Sequence, residues 1–416
     1  LRHLGRGLAA MASLALTAAL CAAGASPAAA AAPQTGRAVP QGHGSCTGTA
    51  PGSALQRQGA AWTCVDSGPA AARAAARATA GTGNPGADLC VEDSSDPVVS
   101  TRKAYCTRHP VLYKLVDARG TVIGRATVMV VAAASMASLT GARWSEEVSA
   151  DVIEMTPNIS GVTLTLNSVC SGQCVAGPPA WGGAPVTLRS GQHKDGGTLT
   201  YTSTVGKGFH SEIRPTYRVD GTVLGGIPVT THTEWPGPVV RCDDEVGNHA
   251  GCIVMGHLAN VTFSRSLYRG AAVAYEWAQK NLAGRFGDAD HPLSRYVDPF
   301  DPEAKNRRAT TCDRGPHRFV RGATGVPNDS CDEYPFASSY QGGNDGALCV
   351  DITPRQVGGV WDVSGVTVDR GSPPNAPCVR AHVDNEDNKA AGLELGRAVQ
   401  SDRILDSEWY QVIIVP

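Results

Sequence analysis

The chain has 416 residues, enough for two or three domains. Its net charge of −2 excludes a protein that is basic throughout, so any contact with nucleic acid has to come from a local patch. With 48 glycines, 27 prolines and only 6% aromatic residues, the core must be built mainly from Val, Ile, Leu and Ala.

Arg2, His3 and Arg6 precede an apolar run over 8–23 and then small residues up to Ala31. That order predicts a secretory signal peptide over 1–31 and a secreted, extracellular protein. No later stretch reaches about 18 continuous apolar residues, so no membrane anchor is expected. Cys21 falls in the leader and twelve cysteines follow it. An even count in an exported chain reads as disulfides. Pairing each cysteine with its neighbour is the simplest of many connectivities: Cys46–Cys64, Cys90–Cys106, Cys170–Cys174, Cys242–Cys252, Cys312–Cys331 and Cys349–Cys378. Zinc is the competing reading, but only Cys170 and Cys174 are closely spaced and nothing completes a four-ligand set. Residues 32–86 are rich in Ala, Gly and Pro and read as a neck with a short helix over 70–80.

From 87 to 262 the texture is that of short strands. Runs over 111–117 and 121–131 flank the turn Ala118-Arg119-Gly120 and predict a hairpin. Similar runs follow at 144–155, 161–168, 197–205 and 211–219, with Gly-containing turns between them. The expectation is a β-rich, antiparallel, sandwich-like domain. Nothing in it marks a ligand. His210, His232 and His257 are scattered, and Asp243-Asp244-Glu245 reads as a solvated disulfide loop before it reads as a calcium site.

Residues 263–416 change again. Apolar positions 271, 274, 275, 278 and 282 lie on one face of a helix over 268–282. Six basic residues against the single Asp313 then form a cationic run over 305–321. Arg307, Arg308 and Arg318 are its candidates for phosphate contact, since a guanidinium fork matches phosphate oxygens. Cys331-Asp332-Glu333-Tyr334-Pro335-Phe336-Ala337 follows directly. If that segment is extended, Asp332 and Glu333 point to opposite sides. A Gly-rich loop, strands over 349–352 and 359–368, and a helix opening at Asp387-Asn388 come next. Asp387 and Glu394 are seven apart and share a helical face. Asp384-Asn385 is an alternative to Asp387-Asn388. A dense apolar strand at 408–415 closes the segment. Oxygen donors on a strand–loop–strand–helix–strand frame suit Mg²⁺ or Mn²⁺.

In their order, these pieces resemble the NucA/NucB family of secreted bacterial deoxyribonucleases. The resemblance is carried by 268–279, Asn306-Arg307-Arg308, Asp332-Glu333-Tyr334-Pro335-Phe336-Ala337, Gly342-Gly343, and Asp387-Asn388 with Gly392 and Gly396. It implies a small α+β nuclease domain similar to a ββα-metal (His-Me finger) core, with an acidic residue where such enzymes use histidine. Asp332 is then the general base, Glu333 a supporting acid and Asn388 the residue at the metal, with Mg²⁺ or Mn²⁺ as cofactor and DNA as substrate. Asp387 and Glu394 are further candidate ligands, Glu394 by helical phase alone. About thirty extra residues separate the signature from Asp387-Asn388, which departs from the family pattern. A monomer is expected.

Two other readings use the same residues. One is a carboxylate-pair glycosidase, which would release reducing sugar and leave DNA intact. The other is a non-catalytic exported DNA- or cell-wall-binding protein with a decayed nuclease module, which would retain its ligand without turnover.

Overall fold

The computed structural model describes residues 45–67, 84–91, 96–136, 141–227, 231–301 and 304–416. The expected signal peptide and the helix over 70–80 lie outside the described residues. From Gln41 to Pro416 the chain forms one compact unit.

Two antiparallel sheets, of eight and six strands, make up the β-rich part. The expected hairpin is the pair Ala104–Asp117 and Val122–Ser135, in register from Ala104↔Ser135 inward. The second strand of that hairpin is buried on both faces, and the alternation says why. Ala126, Val128, Val130, Ala132 and Ala134 face the main core, whereas Met129, Val131 and Ala133 face a small cluster under the helix Pro85–Leu89. Gly86 lets that helix approach: a Cβ there would stand 2.2 Å from the Ala134 carbonyl oxygen. Cys90–Cys106 ties the helix down.

The expected neck needs correcting. Ser45–Gly48 and Ala60–Ser67 are strands of the eight-stranded sheet, with Ala60–Ser67 paired to Ala104–Asp117. Cys46 and Cys64 face each other in register and are bonded. Alanine and glycine content suggests a linker, but pairing with a neighbouring strand, which buries Thr63, Cys64 and Val65 in succession, makes it sheet.

One apolar core is shared by both sheets. Inside it lies a carboxyl group, Glu146, which is fully buried. It accepts hydrogen bonds from the hydroxyls of Tyr105, Tyr201 (3.0 Å) and Tyr217 (2.6 Å). Burial pushes its pKa up to about 7 against the opposing effect of the three hydroxyls. The residue is thereby satisfied between the sheets.

All six neighbour-to-neighbour disulfides are formed among the described residues. Such a set suits an oxidising compartment and is consistent with an extracellular protein. No helix among the described residues is long and apolar enough to cross a membrane.

The C-terminal part holds a four-stranded and a three-stranded sheet. Its first strand, Ala259–Ser264, runs parallel to the last, Trp409–Val415, and Leu293–Ser294 pairs on the other side, so the apolar end of the chain is the central strand. The boundary expected at 262/263 therefore falls inside a strand. The helix Arg265–Asn281 packs small residues, Ala271, Ala274 and Ala278, into the core beneath it.

The β-rich and C-terminal parts meet through a set of charges, buried except for the half-buried Glu408. Glu408 takes Arg102 at 2.6 Å and Arg241 at 2.7 Å. Arg403 binds both carboxylate oxygens of Asp243, at 2.6 and 2.8 Å. Asp243, expected in a solvated loop, is fully buried because this partner comes from 160 residues away in the chain. Breaking such a network leaves uncompensated cations in a dry place. Glu408→Ala is therefore expected to lower unfolding free energy by about 3 kcal/mol. Urea denaturation measures it, and a loss near zero would show that the clamp contributes nothing.

Candidate active site

The strand Asp329–Tyr334 lies at the edge of the four-stranded sheet, antiparallel to Val379–Asp384, with Asp332 opposite Ala381 and Glu333 opposite Arg380. Strand alternation sends Ser330, Asp332 and Tyr334 to one face and Cys331 and Glu333 to the other.

On the first face, the Tyr275 hydroxyl donates to Asp332 Oδ1 (3.2 Å) and Oδ2 (3.0 Å). Burial, then the neighbouring Glu333, pushes the Asp332 pKa up to about 8. Burial and the Asp332 carboxyl also keep the Tyr275 hydroxyl protonated, which makes it a donor. The helix Asn385–Ser401 begins on this side. Its N-cap is Asp384, whose side chain accepts from the Glu386 N–H. That capping role separates Asp384-Asn385 from Asp387-Asn388. Asn388 Nδ2 donates to Ser330 Oγ (3.1 Å) and to the Cys331 carbonyl oxygen (3.0 Å). Its amide is thus pinned to the strand that carries Asp332, and its own carbonyl oxygen is the group left for another ligand.

Asp387 is buried and meets Arg269 Nη1 at 3.4 Å. Burial raises its pKa and Arg269 opposes the rise. Glu394 accepts from the Tyr268 hydroxyl at 2.9 Å and pairs with Arg397 at 3.4 Å. Asp387 and Glu394 thus both contact the start of the helix Arg265–Asn281, as two residues on one helical face would. Arg269 interrupts that helix at φ 44°, ψ −118°, a conformation that costs a non-glycine residue about 1–3 kcal/mol.

The second face belongs to the helix Lys305–Cys312. Arg308 Nε donates to Glu333 Oε1 at 3.1 Å. Burial raises the Glu333 pKa while Arg308 lowers it. Arg307 turns inward and donates to the carbonyl oxygens of Ala337 (2.7 Å), Ser339 (2.7 Å) and Gly342. It also lies over the Tyr296 ring, 4.2 Å from the centroid. Gly343, at φ +71°, passes close beside this side chain. Arg318 is exposed in the loop after the helix. Arg380 and Arg370 close on Asp351, each at 2.7 Å, and His382 pairs with Asp329 at 2.7 Å.

The structure therefore puts Asp332 and the docking point of Asn388 on one face of the strand and Glu333, with Arg308, on the other, while Arg307 is held by the loop that follows the strand. Asp332 and Glu333 do not form a carboxylate pair across one groove. Tyr275 and Arg269 are the residues that sequence reasoning missed. Tyr275 showed only as a helix-face apolar position, and Arg269 carried no motif.

The tightest cluster of potential metal ligands among the described residues is Cys312, Cys331 and Glu333. Both sulfurs are joined in a disulfide, so neither offers a thiolate. Asp332, Asp387 and Asn388 offer only oxygen donors, the donor type that Mg²⁺ and Mn²⁺ take.

Residues 285–360 match the model of the family described as Deoxyribonuclease NucA/NucB. The matched span contains Arg307, Arg308, Arg318, Asp332 and Glu333 and ends before Asp387. The resemblance read from the sequence is borne out over that span. No curated protein and no solved structure matches the chain.

The raised Asp332 pKa has a consequence for stability. The folded state holds this proton more tightly than the unfolded chain, whose aspartate titrates near 4. The contribution is complete below about pH 4 and is lost as pH rises toward about 8. In chelator, Asp332→Asn is expected to melt near the wild type at pH 5 and above it at pH 9. Equal melting temperatures at pH 9 would show that the carboxyl is not held in its neutral form.

Proposed function

We propose that this protein is a secreted, metal-dependent endonuclease that hydrolyses DNA phosphodiester bonds. The observation that carries the reading is the family match over residues 285–360, which includes the Asp332 signature. The anchoring of Asn388 to Ser330, on the same strand face as Asp332, adds support. The spatial arrangement is also favourable: the strand Val379–Asp384, antiparallel to Asp329–Tyr334 though two strands lie between them in the chain, runs directly into the helix bearing Asn388.

In this reading Asp332, which in the metal-free fold keeps its proton up to about pH 8, works in its ionised form, a form that a cation bound nearby would favour. It then takes the proton from the attacking water, which must come within hydrogen-bond reach of it. The Tyr275 hydroxyl orients that carboxylate. Asn388, anchored through its Nδ2, presents its carbonyl oxygen beside Asp387, and these two would hold a divalent cation. Such an ion supplies charge neutralisation at the scissile phosphate and at the leaving oxygen. Burial excludes bulk water from the base. Glu333 has a supporting role: with Arg308 and the Cys312–Cys331 bridge it fixes the strand from behind. Exposed Arg318 remains available to the DNA backbone outside the site.

The test is supercoiled plasmid incubated with the secreted protein in Mg²⁺, in Mn²⁺ and in EDTA. Wild-type protein should nick and linearise it, and EDTA should stop the reaction. Asp332→Ala should lower the rate at least about a hundredfold, the scale of a lost general base, with its circular dichroism unchanged. Robust cleavage by Asp332→Ala would overturn the assignment of the base, and full activity in excess EDTA would overturn the metal.

A further inference from the structure

We propose that Arg269 holds a phosphate oxygen of the DNA backbone at the Asp387–Asn388 turn. This rests on the nuclease reading above and assigns the phosphate contact to a residue outside the matched span of 285–360.

Four observations point there. The first is placement. Arg269 touches Asp387, and Tyr275, farther along the same helix, touches Asp332. One helix thus reaches both the candidate base and the candidate cation-binding turn. The second is availability. The Arg269 side chain is 58% exposed and makes one hydrogen bond among the described residues, a long one of 3.4 Å. A guanidinium has five N–H donors, so most of the fork is open to a ligand. Arg307, by contrast, is engaged with backbone carbonyls, and Arg308, 55% exposed, is committed through Nε to Glu333, on the side of the strand away from Asp387 and Asn388.

The third is electrostatic need. Asp384, Glu386 and Asp387 crowd the first turn of the helix and repel an approaching phosphate. Glu386 is paired to Lys389, which leaves Arg269 as the cation on Asp387. The fourth is the backbone. Arg269 sits at φ 44° inside a helix, and the next residue, Gly270, is packed between Trp361, Val383 and Pro354. A long, half-exposed ion pair contributes little to stability and does not account for holding a bulky residue in that conformation. Non-glycine outliers of this kind cluster at ligand-binding sites.

The experiment measures binding of a fluorescent DNA duplex in EDTA across a salt series, with plasmid cleavage in Mg²⁺ alongside. Arg269→Ala and Arg269→Gly are expected to weaken binding about tenfold or more. The slope of log K against log salt should become shallower by about one for both. Arg269→Lys keeps the charge and should keep the slope while losing part of the affinity. Arg269→Gly suits the positive φ, so its melting temperature should equal or exceed that of the wild type while its DNA binding falls. Arg119→Ala, a change in an exposed turn of the β-rich part, serves as the control and should bind as the wild type does.

Unchanged affinity and slope in the Ala and Gly variants, with wild-type cleavage intact, overturn the assignment of Arg269 and leave the nuclease reading standing. A melting temperature that falls in Arg269→Gly, with the salt slope unmoved, shows a structural residue and also overturns it. A wild-type chain that neither binds nor cuts DNA removes the nuclease reading, and this inference falls with it.

Discussion

The two-residue repeat of one edge strand organises the C-terminal part. Because Asp329–Tyr334 is extended, its adjacent carboxyl groups serve different neighbours. Asp332 is delivered to a tyrosine hydroxyl and to the side where Asn388 docks. Glu333 is delivered to an arginine and a disulfide on the other side. A one-residue slip against Val379–Asp384 would exchange the two environments. Several features oppose that slip. Cys312–Cys331 holds one face, Asn388 grips the backbone from the other, and Tyr334 packs among Tyr275 and Phe336 at the strand's end.

The second constraint is the ionic seam between the β-rich and C-terminal parts. Arg102 and Arg241 reach Glu408, which immediately precedes the last strand, and Asp243 receives Arg403. That last strand is central in its sheet and pairs with Ala259–Ser264, which leads into the helix carrying Arg269 and Tyr275. The β-rich part is therefore joined by contact, as well as by sequence, to the frame that positions the candidate site. Its own interior is held by the same kind of device: Glu146 gathers tyrosines from both sheets.

Much of the architecture was legible beforehand, for local reasons. Alternation predicts the long strands, and a 3.6-residue apolar stripe predicts the helix that proves to be Arg265–Asn281. The opposite orientation of Asp332 and Glu333 also follows from extension alone. The neck was misread because alanine, glycine and proline content measures local preference, while Ala60–Ser67 is a strand by virtue of the neighbour it pairs with. Arg307 is the parallel case in the candidate site. A basic run signals charge, yet the direction of each guanidinium is set by which carbonyl groups the fold brings near it.

The sequence by itself determined the residue inventory: paired cysteines, an acidic signature, a cationic run and a helix opening with Asp387-Asn388, in an order that resembles one nuclease family. Periodicity and order along the chain carry that information, and both are local. Only the tertiary structure decided which side of the edge strand each group occupies. It joined Tyr275 to Asp332 across 57 residues and Arg269 to Asp387 across 118. It also directed Arg307 to the carbonyl oxygens of the loop over 337–342 and Arg308 to Glu333. Such pairings depend on helix placement over a sheet, a long-range packing outcome that no short stretch of sequence specifies.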